Sequence, residues 1–325
     1  MKEKENESMP SDSLYSDTAY DDAFRTMEGR CDDILIPFVS YMFGEKYGKG
    51  AVVKRLRNEH FVEHKDSVDE KRITDSSFEI IYNDVTKLYH LECESSKYDG
   101  TILIRIFEYD SQIAKDNAER SLSSIRLRFP NSGLLLLRGT DKAPDKASIV
   151  MEAPDGKEMS YEVPIMKVSD YSIEDIFREK LYMLIPFYIF NYEKQLPSIN
   201  DNENDLDSFM ERFRIIVNKL ELELDKGLLS ASSYSAILKL TRTVAYKMTM
   251  NQKNVQRKVG DFVGGKILDL PEFRIYDQGK AEGKAEGREE GRAEAIKEKD
   301  AEISRIVAAK DARIKELEEQ LAAKG

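Results

Sequence analysis

The stretch from Ile73 to Ile113 reads ITDSSFEIIYNDVTKLYHLECESSKYDGTILIRIFEYDSQI, and it places acidic residues inside apolar strand patterns. This segment constrains the fold more than any other part of the chain does. Alternating side chains predict one strand over Ser77–Tyr82, a turn at Asn83-Asp84 and a second strand over Leu88–Ser95. We expect a helix to follow, from about Thr101 to Arg120.

Acidic residues of the second predicted strand share one face, because side chains alternate along a strand. His90, Glu92 and Glu94 fall on that face, and same-face neighbours lie roughly 6.5–7 Å apart. Two carboxylates at this spacing can converge on one divalent cation, and Asp75 from the neighbouring strand can add a third oxygen. A cation held in this way activates water and offsets the charge of a phosphodiester. The alternative is an acidic, solvated face of the sheet.

Several motifs follow one another in a recognisable order. An opening helix contains DDAFRTM and PFVSYMFG, and TD then precedes the first strand of the core. YHLEC with a second acidic residue follows, and ILIRIFEYDSQIA comes next. The segment YSIEDIFREKLYMLIPFYIF and a glycine-periodic tail complete the order. Together they resemble the family of recombination-promoting nucleases and transposases, within the PD-(D/E)xK nuclease superfamily. The resemblance implies an α/β fold with a restriction-endonuclease-like core, in which helices flank a central mixed sheet.

The resemblance also assigns roles to residues. Asp75 corresponds to the motif aspartate and Glu92 to the motif acid, so Asp75, Glu92 and Glu94 are the implied catalytic and metal-binding residues for Mg²⁺ or Mn²⁺. Glu94 departs from the pattern, since the superfamily usually has Lys at this position and the family often has Gln. A carboxylate there binds metal or water but adds negative charge beside a polyanionic substrate. Lys97 is a candidate replacement, although we expect it in the following turn.

The helix after the second strand supplies the implied substrate-binding residues. Arg105 and Tyr109 are four residues apart on one helix face, and Gln112 continues that face. The resemblance places this helix beside the site, where Arg105 would contact phosphate. The alternative is an ordinary pair on a helix surface. Glu28 of the first helix is a candidate to assist the metal, and the alternative for it is a solvent-facing side chain.

The pattern divides the chain into four regions. Residues 1–19 form an acidic leader expected to be disordered, 20–195 the nuclease-like domain, 196–270 a helical subdomain, and 271–325 a charged helix with a coiled coil. The subdomain either docks DNA or a partner, or only packs on the core. Pro37 predicts a kink or break in a helix over Asp21–Phe43.

Shorter elements follow from local patterns after the central stretch. Asn131–Gly133 is predicted to be a turn before a buried strand at Leu134–Leu137. Pro154-Asp155-Gly156 predicts a hairpin. Ser172 with Asp175 predicts a capping box, and Pro197–Asp207 a loop.

The tail has its own periodicity. Glycine recurs every four residues from Gly279 to Gly291, and a heptad pattern of nearly three repeats then runs from Ile303 to Leu321, apolar except at Lys310. We expect a long helix that self-associates, so that the protein forms a homo-oligomer. The alternative is a single solvated helix.

Composition limits the class of partner. The net charge of −11 argues mildly against DNA binding, because phosphate contacts depend on Lys and Arg. Local basic runs near residues 54–57, 65–72 and 253–258 can still serve a DNA partner. The two cysteines lack metal spacing, and no apolar run reaches membrane-span length, so we expect a cytoplasmic protein with reduced thiols.

These observations predict a metal-dependent DNA endonuclease of a recombination or mobile-element type. A second hypothesis is a catalytically inactive protein of the same fold that acts by DNA binding or coiled-coil assembly. A purely structural assembly protein is the third, and it leaves the grouping of Asp75, Glu92 and Glu94 unexplained.

Overall fold

A six-stranded mixed sheet flanked by helices forms the centre of the protein. The structure, a computed structural model, describes residues 19–56, 59–62, 70–73, 76–139 and 142–267. The helices are α1 (Ala19–Arg30), α2 (Asp32–Phe43), α3 (Ile102–Asp116), α4 (Ile173–Arg178), α5 (Leu196–Asp201), α6 (Glu203–Asp225), α7 (Ala231–Met248) and α8 (Lys253–Ile267). The strands are β1 (Val52–Arg55), β2 (Glu59–Val62), β3 (Glu70–Ile73), β4 (Ser76–Tyr82), β5 (Val85–Glu94), β6 (Glu119–Arg120), β7 (Ile125–Arg126), β8 (Asn131–Leu136), β9 (Lys146–Glu152) and β10 (Glu158–Lys167).

The order of strands in the sheet is β1-β4-β5-β8-β10-β9. β5, β8 and β10 run parallel at the centre, and β1, β4 and β9 pair antiparallel outside them. Glu92 pairs with Leu134 and Glu94 with Leu136, so the carboxyl ends of β5 and β8 meet at one edge. This confirms the predicted α/β class and the central mixed sheet. Two short two-stranded ribbons, β2-β3 and β6-β7, lie outside that sheet.

The hairpin β4-β5 forms where the sequence predicts it. Asn83 and Asp84 have φ angles of 49° and 60°, a left-handed conformation that Asn and Asp tolerate better than other non-glycine residues. The two strands then pair from Tyr82–Val85 to Ser76–Leu91.

Both faces of β5 and β8 are covered, as expected for parallel strands inside a sheet. On one face, Ile102 and Ile106 of α3 pack in a buried cluster with Leu134, Leu136 and Val163. The buried strand predicted at Leu134–Leu137 is therefore confirmed as far as Leu136, where β8 ends, and Leu137 is buried directly after it.

The predicted turn at Asn131–Gly133 is wrong, because these residues begin β8. The reason is tertiary. Ser132 donates a hydrogen bond from its hydroxyl to Asp110 on α3. A Cβ at Gly133 would lie 2.3 Å from Met42 Sδ, so glycine is what lets α2 approach the other face of the sheet.

Two predicted helix boundaries also need correction. The helix predicted to reach Arg120 ends at Asp116, where the Asn117 side chain and backbone N–H both donate to the Ile113 carbonyl. The first helical segment breaks at Cys31, not at Pro37, which lies inside α2. Cys31 leaves the helical region with φ −124° and ψ 73°, and its carbonyl accepts the first bonds of α2.

Helices α4–α8 belong to the same compact unit as the sheet. The capping box of Ser172 and Asp175 is confirmed, but α4 ends at Arg178, and a buried 3₁₀ segment follows at Tyr182–Tyr192. The loop predicted over Pro197–Asp207 is wrong, because α5 and the start of α6 occupy it. Asn202 caps α6 by accepting from the backbone N–H groups of Asn204 and Asp205.

In the portions of the chain that the structure describes, no helix combines the length and apolar character of a membrane span. Residues 1–18 of the predicted leader, the glycine-periodic segment and the coiled coil all lie outside the described residues, and Ala19, predicted to end the leader, begins α1.

Candidate functional site

An open, polar pocket lies at the carboxyl end of β5. Three elements line it: β5 with the residues that follow it, α3, and the first turns of α1. The lining residues are Asp21, Arg25, Glu92, Cys93, Glu94, Ser95, Arg105 and Tyr109. Four of the residues predicted for the site, Glu92, Glu94, Arg105 and Tyr109, are thus brought together.

Glu92 and Glu94 converge on one cationic group. Arg105 Nη2 lies 3.0 Å from Glu92 Oε2 and 3.2 Å from Glu94 Oε2, and Arg105 Nε donates to Glu92 Oε2 over 3.2 Å. Glu92 is 2 % exposed, whereas the Arg105 side chain is 42 % exposed. The backbone N–H of Ser96 donates to Glu94 Oε1, which leaves Glu94 Oε2 facing the guanidinium. Two same-face carboxylates therefore do present oxygens to one shared point.

A hydrogen-bonded network built around the buried residues His90 and Asp110 lies beneath Glu92. His90 Nε2 is 3.0 Å from Glu92 Oε1, and His90 Nδ1 is 2.7 Å from Asp110 Oδ1. Asp110 also accepts from the Ser132 hydroxyl over 2.7 Å and from the Tyr161 hydroxyl over 2.6 Å. His90 and Asp110 are both 0 % exposed. Each oxygen of Asp110 thus has a donor in the protein interior.

The charge of His90 follows from its two partners. Burial lowers the pKa of His90, but the hydrogen bonds to Asp110 and Glu92 outweigh this and raise its pKa to about 9. The imidazolium donates from both ring nitrogens, so each carboxylate accepts one proton-bearing nitrogen. Charges then alternate from Asp110 through His90 and Glu92 to Arg105.

Asp21 and Arg25 of α1 complete the pocket, and sequence reasoning missed both. Burial raises the pKa of Asp21, Arg25 and Arg105 lower it, and Glu94 and Glu92 raise it further. The signal in the sequence is their spacing of four on the first turns of an amphipathic helix. The sequence analysis chose Glu28 from this helix instead.

Glu28 lies elsewhere. It is 2 % exposed and its Oε1 is 3.8 Å from Arg55 Nε, while Arg55 also donates to the Glu28 backbone carbonyl. Burial raises the pKa of Glu28 to about 7, although Arg55 and the neighbouring Ser76 hydroxyl lower it. Glu28 does not line the pocket.

Two further candidates also lie away from the pocket lining. Gln112 bonds Asp116 and Lys115 along the surface of α3. Lys97 is exposed in the loop after β5, as predicted.

Asp75 lies outside the described residues, so the structure gives it no position. Its neighbour Ser76 pairs with Leu91, which precedes Glu92. Across the described ranges, no three His, Cys, Asp or Glu side chains are already grouped as a metal site. The oxygen donors of Glu92, Glu94 and Asp21 nevertheless suit a hard divalent cation, because carboxylates are the ligands Mg²⁺ and Mn²⁺ favour.

The His90–Asp110 pair is the part of the site that the sequence analysis did not predict. Asp110 belongs to the buried stripe of α3, with Ile106 and Ile113 on either side. A carboxylate on an apolar helical stripe needs a partner when buried. That mismatch is the signal that would have located it.

No protein-family model, curated protein or solved structure matches this chain.

Proposed function

We propose that this protein is a metal-dependent DNA endonuclease of a recombination or mobile-element type, with a restriction-endonuclease-like core. One observation carries the proposal: Glu92 and Glu94 both aim Oε2 at a single cationic group in an open polar pocket. The resemblance of the motifs around these residues supplies the class of substrate. Residues of this kind at the end of a central strand suit phosphodiester hydrolysis.

The charges in the pocket fit a bound cation. Three carboxylates, Asp21, Glu92 and Glu94, face two guanidinium groups, Arg25 and Arg105, so one negative charge is in excess. We propose that Glu92, Glu94 and Asp75 hold Mg²⁺ or Mn²⁺. When bound, such a cation activates a water molecule and offsets the charge of the scissile phosphate.

Arg105 has a second proposed role. Its guanidinium compensates Glu92 and Glu94, and its exposed part reaches the mouth of the pocket. With the carboxylates compensated by a divalent cation, Arg105 can turn to a phosphate oxygen, where a guanidinium forms charge-assisted hydrogen bonds. Arg25 is a second proposed phosphate ligand, from α1, and Tyr109 also lines the pocket.

The second candidate is an inactive nuclease-fold protein that binds DNA or assembles through its C-terminal helix. The same ion pair favours it, because Arg105 itself occupies the position between the two carboxylates. Glu94 adds a negative charge at a position where Lys or Gln would orient the attacking water or stabilise a developing charge. Under either candidate function, we also propose a cytoplasmic location and self-association through residues 271–325.

A cleavage assay separates the two. Supercoiled and linear DNA are incubated with the full chain and Mg²⁺ or Mn²⁺, beside Asp75→Asn, Glu92→Gln and the control Glu162→Gln. Glu162 is an exposed strand residue that pairs with Lys146 and does not line the pocket. We expect metal-dependent cleavage in the wild type and control, and at least a 100-fold loss in the other two variants. If the wild type neither cleaves DNA nor binds Mn²⁺ in calorimetry, the endonuclease is rejected and the inactive nuclease-fold protein is favoured.

A further inference from the structure

The strongest feature outside the proposed ligands is the buried pair formed by His90 and Asp110. His90 bonds Glu92 through Nε2 and Asp110 through Nδ1, at 3.0 and 2.7 Å. Asp110 is fixed in turn by the Ser132 and Tyr161 hydroxyls. Asp110 on α3, which bonds the imidazole directly, is therefore itself fixed from β8 and β10.

We propose that His90, anchored by Asp110, is a positioning residue that fixes Glu92 so that only Oε2 presents lone pairs to the pocket. The inference rests on the proposed metal-binding function of Glu92. The hydrogen bond from His90 engages Oε1 of Glu92, and Oε2 is the atom directed at Arg105. Hydrogen bonds from surrounding groups orient metal ligands, and their removal typically weakens metal affinity by about 10- to 100-fold.

A free Glu side chain would lose this arrangement. The Glu92 carboxylate sits on three rotatable bonds, and rotation about the last one exchanges Oε1 and Oε2. The bond from His90 selects one of these orientations, since Asp110 prevents the imidazole from following the carboxylate. A merely structural network would stabilise the fold without selecting an orientation, and this difference makes the proposal testable.

Two substitutions at one position separate the two bonds. In His90→Gln the amide nitrogen reaches the position of Nε2, which keeps a donor to Glu92 and loses the bond to Asp110. In His90→Asn the amide nitrogen reaches the position of Nδ1, which keeps Asp110 and loses Glu92. Both remove the same ring from the same buried site, and thermal unfolding measures how their costs in stability compare.

Mn²⁺ binding to the full chain, measured by calorimetry, is the first readout, with thermal unfolding beside it. We expect His90→Asn to weaken Mn²⁺ binding by about 10- to 100-fold and His90→Gln by less than about 3-fold, at similar unfolding temperatures. Equal losses in both variants, or unchanged affinity in His90→Asn, would overturn the positioning role. Asp110→Asn serves if His90→Asn fails to fold: it is expected to weaken binding about 3- to 10-fold, and unchanged affinity would overturn the proposal.

Crystal structures of the wild type and the two His90 variants provide a readout that does not need metal. We expect Glu92 to keep its orientation in His90→Gln and to move toward Arg105 in His90→Asn. If the wild type binds no Mn²⁺, the proposed ligand role of Glu92 fails, and the crystal structures alone decide whether His90 positions it. If the Glu92 carboxylate keeps its orientation in His90→Asn, the inference is wrong.

Discussion

His90 and Glu28 are both ionisable and both buried, at 0 % and 2 % exposure, but they differ in whether their charged forms have close partners. His90 has a carboxylate within hydrogen-bond distance of each ring nitrogen. The Glu28 carboxylate has its cation, Arg55, 3.8 Å away. One group is buried with its charge paired, and the other is buried where its charge is disfavoured. The comparison shows that burial alone does not predict protonation, because the partners decide it.

The two raised pKa values therefore have opposite meanings for stability. A raised pKa means that charged His90 is favoured, so its contribution is full below pH 6.5 and is lost as the pH rises through about 9. For Glu28 the neutral form is favoured, so its ionisation costs stability as the pH rises from 4.5 to about 7. Both effects lower stability at higher pH, but in different windows.

The largest expected effect tests the paired side of the comparison. Asp110→Ala leaves the buried His90 imidazolium with one carboxylate and should lower the free energy of unfolding by about 3–5 kcal/mol in urea denaturation. Asp116→Ala, at the exposed end of the same helix, should change it by less than about 0.5 kcal/mol. A loss below about 1 kcal/mol at Asp110 would contradict a charged pair between Asp110 and His90.

The next effect tests the unpaired side. Glu28→Gln removes the ionisation and keeps the shape, so the variant should exceed the wild type by up to about 3 kcal/mol at pH 8, in line with the shift of its pKa to about 7. The difference should vanish near pH 4, where both side chains are neutral. Denaturant unfolding measured at each pH checks this, with the exposed Glu162→Gln as a control that shows no such trend. A constant difference across pH would contradict the assignment.

A smaller effect measures how the Asp110 charge is stabilised. Tyr161→Phe removes a hydroxyl that donates to Asp110 over 2.6 Å, and it should cost about 1.5–3 kcal/mol, as expected for a bond to a charged group. In the Asp110→Ala background the same change should cost almost nothing, since its acceptor is gone. Additive losses in this double-mutant cycle would show that Tyr161 acts only through packing.

The strands around the site were predictable because their signals are local. Alternation located β4 and β5, and the Asn83-Asp84 turn joins them as expected. The same alternation correctly placed His90, Glu92 and Glu94 on one face. The polar residues of β5 keep this alternating pattern although both faces of the strand are buried, because they have hydrogen-bond partners on α3.

The missed features depend on contacts between distant elements. Ser132 and Gly133 resemble a turn in the sequence but begin β8, because one bonds Asp110 and the other makes room for Met42. Asp21 enters the pocket only through the packing of α1 on the sheet, which no local pattern encodes. The role of Asp75 and the self-association of the tail stay predictions.

The smallest expected effect asks how much Arg55 compensates Glu28. Its attraction lowers the pKa of Glu28, so in Arg55→Gln the pH-dependent fall in stability should continue beyond about pH 7, where it ends in the wild type. Arg55 also donates hydrogen bonds to the Glu28 carbonyl and pairs with Asp32, and losing those contacts lowers stability equally at all pH values where Asp32 stays ionised. Only the pH at which the fall ends therefore reports the compensation. Lys54→Gln, whose partner is Glu79, should leave that pH unchanged. If Arg55→Gln leaves it unchanged as well, Glu28 is compensated by neither residue, and its contrast with His90 becomes sharper.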